Sequence, residues 1–475
     1  MLLGIDLGTS SVKVAVVGEN GSVKQVASAG YAINSPRPGW AETDPAAWWL
    51  ATRNAVTSLS TAHLRAISAI GLAGQMHGVV LTGEDGRPVR PAILWPDGRS
   101  TDEVDRYLRL EPGLLHRLAN PPATGMAGPT LLWLKTHETS LFEKARWALQ
   151  PKDWLRMQLT GEVGGEPSDA SATLLYDFVD DGWAHWVLHE LDIRADLLPE
   201  LVASHEVSGR LTRSAAGELG IKSGIPVAAG AADTAASLVG HGVLGPGAVV
   251  LTIGTGAQMT TVRREFAADP TGRTYVFRSV EHGNWYSMAA ILNAGLALDW
   301  VRRLFGVEWG ALYGSAAQVP PGSGGVSFFP YLVSERTPRP DSRTRACWSG
   351  IELHHRREHL LKAALEGVAF ALREKMEALE ATGIAMADLQ LGGGGAVDKS
   401  WRQMLADVLG KRLLAVDSPA GAARGAALLG GLAAGTFKSF DETAALKMRV
   451  TSAAEPGPHA DEYSRLYERW IETDR

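Results

Sequence analysis

The sequence predicts an α/β protein made of two similar domains. Its 475 residues are too many for one hydrophobic core, so two domains, or one domain with a large insertion, are expected. A strand, a Gly-Thr-Ser turn and a second strand occupy residues 4–17, and residues 245–262 repeat this order around a Gly-Thr-Gly turn. The two segments share the order of strand, turn and strand more than they share identical residues. It divides the chain into expected domains of residues 1–243 and 244–475.

Three strands are predicted at the start of the first domain. Residues 2–6 form an apolar run, residues 12–17 alternate between apolar and other side chains, and residues 22–28 form a third run. Asn20 and Gly21 separate the last two runs, and both suit the positive φ angles of a type I′ turn. The second and third strands are therefore expected to form a hairpin.

A helix and two buried strands follow in the first domain. Asp44 and Pro45 suit the N-cap and the first turn of a helix that carries Trp48. Short apolar runs predict strands at residues 67–72 and 225–230. Each of these strands leads into a segment that carries polar side chains.

The second domain is predicted to be helical after its opening strands. Apolar side chains recur at helical spacing over residues 359–382, and Gly383 suits the C-cap of that helix. A strand over residues 389–391 precedes a helix that Asp398 would cap. Residues 459–475 are expected to form a last amphipathic helix.

Composition narrows the class of protein. The hydrophobic content of 45% and charged content of 21% are typical of a soluble globular protein. The net charge of −6, with no basic block, argues against a nucleic-acid partner. The sequence contains no run of 18 apolar residues, so no membrane span is expected. The start of the chain lacks the basic region of a signal peptide. With Cys347 as the only cysteine, a cytoplasmic enzyme is expected.

The first turn carries a candidate phosphate site. Asp6 ends an apolar run, and Gly8, Thr9, Ser10 and Ser11 follow it. The N–H groups and hydroxyls of such a turn can bind phosphate oxygens, and a carboxylate beside them can hold Mg²⁺ through water. Aspartate is equally common as a turn cap, and this stretch alone does not decide between the two roles.

The second strand–turn–strand unit favours the phosphate interpretation. Gly254 and Thr255 occupy its turn, and two such hairpins, one in each domain, would hold a nucleotide triphosphate from opposite sides. Residues 392–396 have the sequence GGGGA and lie between a strand and a helix. Glycines there permit close approach of a flat ligand, and a helix N-terminus favours an anion. An ordinary flexible loop is the alternative.

Two further segments suggest chemistry at strand ends. Asp233 lies among alanines, where it is either a structural acid, such as a helix N-cap, or a general base with a shifted pKa. AGQMHG places Gln75 and His77 on either side of Met76. This arrangement suits a polyhydroxylated substrate, and a structural histidine is the alternative.

Together these segments resemble the FGGY family of carbohydrate kinases, and within it the xylulokinases. The resemblance covers nearly the whole chain in order. It also explains residues 355–359, which fit a zinc-protease HxxEH pattern, as the start of a family helix. The matching segments are GIDLGTSSVKV at 4–14, WAETDPAAWW at 40–49, GLAGQMHG at 71–78, PAILWPDGR at 91–99, PKDWLRMQLTG at 151–161, LTIGTG at 251–256, FFPYLVSERTP at 328–338, ACWSGIELHHRREHLLKAALEG at 346–367 and LGGGGAVDKSWRQMLADVLG at 391–410.

The resemblance implies two actin/hexokinase-like (ribonuclease H-like) α/β domains with a cleft between them. It implies transfer of the ATP γ-phosphate to the terminal hydroxyl of D-xylulose, with Mg²⁺ as cofactor. A small-molecule sugar is then the partner, and a homodimer is common among relatives. Kinases for ribulose, 1-deoxyxylulose or an alditol, and an ATPase of the same superfold without a sugar substrate, are the alternatives.

The resemblance also assigns site residues. Asp233 matches the general base, and Asp6 matches the acid near Mg²⁺ and the phosphates. The implied sugar-binding residues are Gln75, Met76, His77, Trp95, Asp97 and Thr234. The implied ATP-binding residues are Gly8, Thr9, Ser10, Gly254, Thr255, Gly393 and Gly394.

Four positions depart from the family pattern. Pro96 stands where xylulokinases usually have Asn, and Thr234 stands where Asn is common after the catalytic acid. Thr130 stands in place of Lys, and Gly256 in place of the usual Ser of the phosphate hairpin. Pro96 and Thr234 are expected near the sugar, so they leave the identity of the ketose open.

Overall fold

The computed structural model describes residues 1–333, 335, 345–393, 398–417 and 420–474. In these residues the chain forms two large mixed β-sheets, each of seven strands, with helices packed against them. This arrangement agrees with the predicted α/β class and with the strand–turn–strand repeat.

The first half of the chain contains one large sheet and several short strand pairs. Its strands are β1 (Leu2–Leu7), β2 (Ser11–Val17), β3 (Val23–Gly30), β4 (Glu42–Thr43), β5 (Ala69–Gly74), β6 (Val80–Thr82), β7 (Ala92–Ile93), β8 (Trp147–Leu149), β9 (Tyr176–Asp177), β10 (Gly182–Trp183), β11 (Val207–Arg210), β12 (Pro226–Ala228) and β13 (Ala231–Ala232). Its helices are α1 (Pro45–Thr57), α2 (Thr61–Ala66), α3 (Thr101–Leu108), α4 (Pro112–Arg117), α5 (Ala127–His137), α6 (Thr139–Lys144), α7 (Pro151–Thr160), α8 (Pro167–Ala170), α9 (His185–Glu190), α10 (Arg213–Leu219) and α11 (Asp233–Gly240).

The second half contains the other large sheet and the longest helix. Its strands are β14 (Ala248–Ile253), β15 (Ala257–Arg263), β16 (Tyr275–Arg278), β17 (Trp285–Ile291), β18 (Ser327–Phe329), β19 (Cys347–Ser349), β20 (Asp388–Gly392), β21 (Arg412–Val416) and β22 (Val450–Ala454). Its helices are α12 (Gly295–Leu304), α13 (Trp309–Gln318), α14 (Arg357–Glu380), α15 (Lys399–Leu409), α16 (Gly421–Ala433), α17 (Phe440–Ala445) and α18 (Ala460–Asp474).

The two large sheets share one strand order. The first runs β3-β2-β1-β5-β12-β11, and the second runs β17-β15-β14-β20-β21-β22, with β16 added beside β17 and β13 added beside β5. In each sheet three antiparallel strands are followed by two parallel strands and one antiparallel edge strand. The weak sequence repeat therefore reflects a repeated topology. Strand β14 corresponds to β1, and β20 corresponds to β5.

Most predicted elements form where local residues favour them, and two details differ. The Asp44 side chain caps α1 by accepting the Ala46 N–H, as predicted. The hairpin between β2 and β3 is not type I′, because Gly21 has a positive φ of 74° whereas Asn20 does not. Helix α14 ends before Gly383, and Ala381 is its C-cap. Gly383 instead adopts a φ of +86° in the loop that follows.

Helix α16 lies directly on the backbone of the first sheet, although it comes from the second half of the chain. A Cβ atom added to Gly4 in β1 would lie 1.7 Å from the Ala423 carbonyl oxygen. A Cβ added to Gly71 in β5 would lie 1.8 Å from that of Ala426. Strands β1 and β5 therefore need glycine at these positions for the helix to approach.

Helices α11 and α16 approach each other in the same way. A Cβ atom on Gly425 would lie 1.7 Å from the Ala236 carbonyl oxygen, and one on Gly240 would lie 1.9 Å from that of Gly421. Arg424 closes this crossing by donating through its Nε to the Gly21 carbonyl at 2.8 Å and through Nη1 to the Gly240 carbonyl. The two halves of the chain thus meet along a helix pair with little side chain between them.

The β16–β17 hairpin makes a second connection between the halves. Asn120 bonds the backbone of Val276 in both directions, at 2.8 Å to its carbonyl and 2.9 Å from its N–H. The Arg278 N–H donates to Ser171 Oγ at 2.9 Å. Aromatic side chains of this hairpin therefore lie in the same hydrophobic core as residues of the first half. None of the helices in the described part of the chain is both long and apolar enough to cross a membrane.

Gly71→Ala is expected to destabilise the protein, because its methyl group would overlap the α16 backbone. Overpacking of this kind typically costs about 1–3 kcal/mol or more. Gly217→Ala is the matched control, since it lies in α10 with no heavy atom within 4 Å of the added Cβ, and it should raise helix stability slightly. Urea unfolding measures both variants. Equal stabilities of the two variants would contradict the close packing of α16 on β5.

Candidate active site

Two carboxylates lie at one edge of the first sheet. Asp6 is the penultimate residue of β1, and Asp233 follows β13 as the first residue of α11. Both strands run parallel to β5, and Ala73 of β5 pairs with Asp6 on one side and with Ala231 on the other. In sheets of this kind, ligands bind beyond the carboxyl ends of parallel strands. The fold thus brings together two acids that lie far apart in the sequence.

The two acids are partly buried, and the loss of contact with water shifts their protonation. Burial is the main cause that raises the pKa of Asp6 to about 7, and the charge of Asp233 raises it further against the opposing charge of Lys13. Burial also raises the pKa of Asp233 to about 6, while hydrogen bonds from Thr234 lower it. Both carboxyl groups therefore titrate well above the ordinary range of an aspartate.

Asp233 is oriented by its neighbour. Its Oδ1 accepts the Thr234 N–H at 2.6 Å and the Thr234 hydroxyl at 3.1 Å. Ala232 occupies the N-cap of α11 and makes no side-chain cap, so Asp233 is not the capping residue that its sequence context also allowed. Both of these bonds are made to Oδ1, and no bond to Oδ2 is seen among the described residues.

The first turn is bound by residues that the sequence places on the sugar side. The Gly8 carbonyl accepts Gln75 Nε2 at 3.2 Å and also the Tyr31 hydroxyl. Trp95 Nε1 donates to Thr9 Oγ1 at 2.8 Å. The predicted phosphate turn and the predicted sugar residues are therefore in direct contact.

Met76 and His77 lie in a strained segment after β5. His77 has a φ of +71°, which a residue with a side chain adopts rarely, and strained residues of this kind are enriched at active sites. Its Nδ1 lies 2.7 Å from the Ala172 carbonyl oxygen, which holds the ring in place. Met76 is buried beside it, only 6% exposed.

Tyr286 of β17 contacts one of the predicted sugar residues, and the sequence analysis did not identify it. Its hydroxyl lies 3.8 Å from Met76 Sδ, and the ring is fully buried. Burial, followed by the charges of Asp233, Asp169 and Glu166, raises its pKa well above the ordinary value, so the phenol stays a neutral donor. The local sequence around Tyr286 does not indicate its contact with Met76, because Tyr286 lies in the second sheet and Met76 follows a strand of the first.

Asp97 is engaged in a structural network. Its Oδ2 accepts the Ala41 N–H at 2.6 Å and Arg99 Nη2 at 2.7 Å, and its Oδ1 accepts Arg99 Nε at 2.8 Å. The Arg99 guanidinium in turn lies 3.6 Å from the centre of the Trp40 ring. The contacts seen for Asp97 are thus with the protein, and the sugar contact predicted for it stays a prediction.

A buried charged cluster supports the strand that leads to Asp233. Lys152 Nζ lies 2.7 Å from Asp153, 3.4 Å from Glu166 and 3.3 Å from Asp169. Ser168 donates to Glu166 at 2.7 Å and accepts the N–H of the residue before Asp233 at 3.0 Å. The sequence analysis noted the PKDWLRMQLTG segment, which carries Lys152, only as a match to the family, and it predicted no partner for the lysine.

The second turn faces a glycine that follows the neighbouring strand. Gly254 donates its N–H to the Gly256 carbonyl at 2.8 Å, which closes the turn between β14 and β15. Strand β20 runs parallel to β14, so Gly393 emerges beside this turn. Gly393 has a φ of +82°, and an added Cβ would lie 2.5 Å from the Ile253 carbonyl oxygen. Gly394, predicted for the same loop, lies outside the described residues.

Asp6 fits a magnesium ion better than the other ionisable residues near it. Its Oδ1 is buried and has no hydrogen-bond partner in the described part of the chain. Mg²⁺ typically binds proteins through one or two carboxylates and fills its remaining positions with water and substrate phosphates. No group of three His, Cys, Asp or Glu side chains among the described residues could hold a metal by itself, and this includes His355 and His359.

Comparison with known proteins decides the family. The profile of the N-terminal domain of the FGGY family of carbohydrate kinases matches residues 1–240, and that of the C-terminal domain matches residues 249–434. The chain belongs to the FGGY family of carbohydrate kinases. Family membership makes ATP the phosphoryl donor and a carbohydrate the acceptor, and it confirms the resemblance inferred from the motifs.

Individual relatives are similar over nearly their full length. The chain is 34% identical to the xylulose kinase of Bacillus subtilis, over 98% of this chain and 95% of that protein. It is 36% identical to the xylulose kinase of Escherichia coli, over 93% and 92%. The crystal structure of xylulose kinase from Rhodospirillum rubrum has a TM-score of 0.91 at 30% identity, over 99% and 98%. The predicted actin/hexokinase-like fold is confirmed by this similarity.

Asp233→Asn is expected to raise the melting temperature at pH 8 by a few degrees. The folded-state pKa of Asp233 lies above its ordinary value, so the ionised acid destabilises the native state above about pH 6. The gain should shrink towards pH 4, where the wild-type carboxyl is protonated in the folded protein. Asp44→Asn, at an exposed N-cap where Asn is equally suitable, is the control. A pH-independent loss of stability in Asp233→Asn would contradict the electrostatic argument.

Proposed function

We propose that this protein is a xylulose kinase, which converts D-xylulose and ATP to D-xylulose 5-phosphate and ADP. The observation that carries the proposal is the pair of partly buried carboxylates, Asp6 and Asp233, at one edge of the first sheet, together with a second strand–turn–strand hairpin of the same topology. The substrate is suggested by the B. subtilis, E. coli and R. rubrum relatives, which are named xylulose kinases.

Asp233 is the general base of the proposed reaction. As the sugar hydroxyl attacks the γ-phosphorus, its proton passes to Asp233, and the β–γ bridging oxygen leaves with ADP. Thr234 holds Oδ1, which directs the other oxygen to the hydroxyl. With a pKa of about 6, Asp233 is ionised at neutral pH and is a stronger base than an aspartate with the ordinary pKa. Such assistance typically contributes about 10²–10⁴-fold to the rate.

Asp6 would hold Mg²⁺ through water, because this ion keeps several waters of its hydration shell when it binds a protein. The ion supplies charge neutralisation of the triphosphate when it is bound. Gly8, Thr9 and Ser10 then contact the phosphates from one side, and Gly254 and Thr255 contact them from the other. Gly393 and Gly394 contact the adenosine.

The sugar lies on the side of the first half in this proposal. Gln75, Met76 and His77 contact it after β5, together with Trp95. Asp97 and Thr234 are also proposed sugar ligands, although their described contacts are with Arg99 and Asp233. Tyr286 completes the pocket from the second sheet, since its hydroxyl lies beside Met76.

The remaining proposals concern organisation. The domains are residues 1–243 and 244–475, although α16 of the second domain packs against β1 and β5 of the first. We also propose a cytoplasmic location and a homodimer.

An ADP-release assay over a panel of sugars tests the proposed function. D-Xylulose should give the highest kcat/KM among D-xylulose, D-ribulose, 1-deoxyxylulose and alditols. Asp233→Ala should lower kcat about 10²-fold or more while ATP binding remains, because it removes the base but not the phosphate contacts. A higher kcat/KM for another polyol would reassign the substrate. ADP release without sugar would support an ATPase, and near-normal turnover by Asp233→Ala would remove this residue from catalysis.

Tyr286→Phe is expected to raise the KM for the sugar about 3–10-fold, the cost of one hydrogen bond, and to leave the KM for ATP unchanged. The phenyl ring retains the packing against Phe277, so only the hydroxyl beside Met76 is lost. Tyr275→Phe is the matched control, because Tyr275 lies in the same hairpin and stacks on Phe277. Steady-state kinetics with each substrate varied measures the effect. Equal sugar KM values for the two variants would exclude Tyr286 from the sugar pocket.

A further inference from the structure

We propose that Glu335 is a positioning residue for the turn at residues 254–256 and that it thereby sets the affinity for ATP. The inference rests on the proposed role of that turn in binding phosphate. Glu335 belongs to the FFPYLVSERTP segment, for which the sequence and the proposed reaction provide no function.

The Glu335 carboxylate binds the segment that follows β17. It accepts the Leu292 N–H at 2.9 Å and the Asn293 N–H at 3.2 Å. It also accepts Asn293 Nδ2 at 2.6 Å. The residue is only 7% exposed, so these N–H groups, rather than water, stabilise the charge of its carboxylate. Hydrogen bonds to an ionised acceptor are stronger than those between neutral groups.

Asn293 fixes the same segment from its other side. Its Nδ2 donates to the Val333 carbonyl at 2.7 Å, and its Oδ1 accepts the Val333 N–H at 2.9 Å. Residues 292–293 are thus bound to Val333 and Glu335 through both backbone and side chains. Removal of the carboxylate leaves the Val333 contacts in place, which favours a shift of the segment over its unfolding.

The bound segment in turn holds the glycine turn. The Gly295 N–H donates to the Gly254 carbonyl at 3.1 Å, and the Leu296 N–H donates to the Thr255 carbonyl at 2.8 Å. These donors belong to the first turn of α12, where backbone N–H groups have no partner within the helix. A Cβ on Gly295 would lie 2.2 Å from the Gly254 carbonyl oxygen, so the two backbones are in direct contact.

This contact determines where the N–H groups of the turn point. In a trans peptide the C=O and the next N–H point in opposite directions. Because the carbonyls of Gly254 and Thr255 face α12, the N–H groups of Thr255 and Gly256 face away from it. That direction presents two donors, and the positive end of the α12 dipole behind them, to an anion outside the turn. Glu335 maintains this orientation without contacting the anion.

Glu335→Ala tests the proposal in the full-length protein. We expect the KM for ATP to rise about tenfold and the KM for D-xylulose to change less than twofold, because the first half keeps its own contacts. Glu335→Gln should give a smaller rise, since its amide retains one acceptor oxygen. The dissociation constant of ATP, measured by calorimetry, should change with the KM.

Glu366→Ala is the matched control for a loss of stability. Glu366 is another buried carboxylate of the second half, and it accepts the Gly322 N–H at 3.0 Å and Ser323 Oγ at 2.7 Å, with no described bond to the turn. It should lower the melting temperature without changing the ratio of the two KM values. A purely structural role of Glu335 would give this same result. If Glu335→Ala does not fold, Glu335→Gln is judged by the same ratio.

Gly254→Ala separates this proposal from the proposed function. Its methyl group would make only an ordinary van der Waals contact, 3.9 Å from the Gly256 carbonyl oxygen, so it adds bulk at the turn without displacing protein atoms. A raised KM for ATP in Gly254→Ala with an unchanged KM in both Glu335 variants would overturn the positioning role alone. An unchanged KM for ATP in Gly254→Ala would overturn the phosphate-binding role of the turn. Raised values in Glu335→Ala and Gly254→Ala, with Glu366→Ala unchanged, support both.

Discussion

The backbone contact between helix α16 and the first sheet determines the geometry of the site. Gly4 and Gly71 allow the helix to lie on β1 and β5, and Gly425 allows it to cross α11. Strand β1 carries Asp6 near its end, β5 leads to Gln75 and Met76, and α11 begins with Asp233. One helix from the second half of the chain therefore supports three of the elements that position reactive side chains. A larger residue at any of these glycines would displace the acids relative to one another.

Buried charge is the cost of this arrangement. Asp6 and Asp233 lie close enough for one ionised acid to hinder ionisation of the other, and burial disfavours both charges. Lys152 contacts three further carboxylates, and one of these, Glu166, is joined through Ser168 to the residue before Asp233, which holds that segment in place. A pair of partly buried acids of this kind lowers the stability of the fold at neutral pH, a trade-off that is common at the active sites of enzymes.

Local sequence patterns predicted most helices and strands. They could not predict which residues far apart in the sequence come into contact. The Asp44 and Asp398 caps form as expected, because a cap depends on residues within one turn. The prediction that Gly383 caps α14 was wrong, because a glycine near a helix end also suits the loop that follows the helix. Asp6 and Asp233 were identified one at a time, and only the parallel pairing of β5 brings them together. Tyr286 could not be predicted, because its contact with Met76 spans 210 residues.

The bonds between the first turn and the residues after β5 have a thermodynamic consequence. Gln75 and Trp95 donate to Gly8 and Thr9, so groups that would bind the two substrates also bind each other. A ligand that draws Gln75 or Trp95 away changes the turn that the other ligand must use. The two binding equilibria are then linked, and by reciprocity each substrate alters the affinity of the other by the same factor. Under the proposed function, these two hydrogen bonds therefore couple acceptor binding to donor binding in the ground state of the protein.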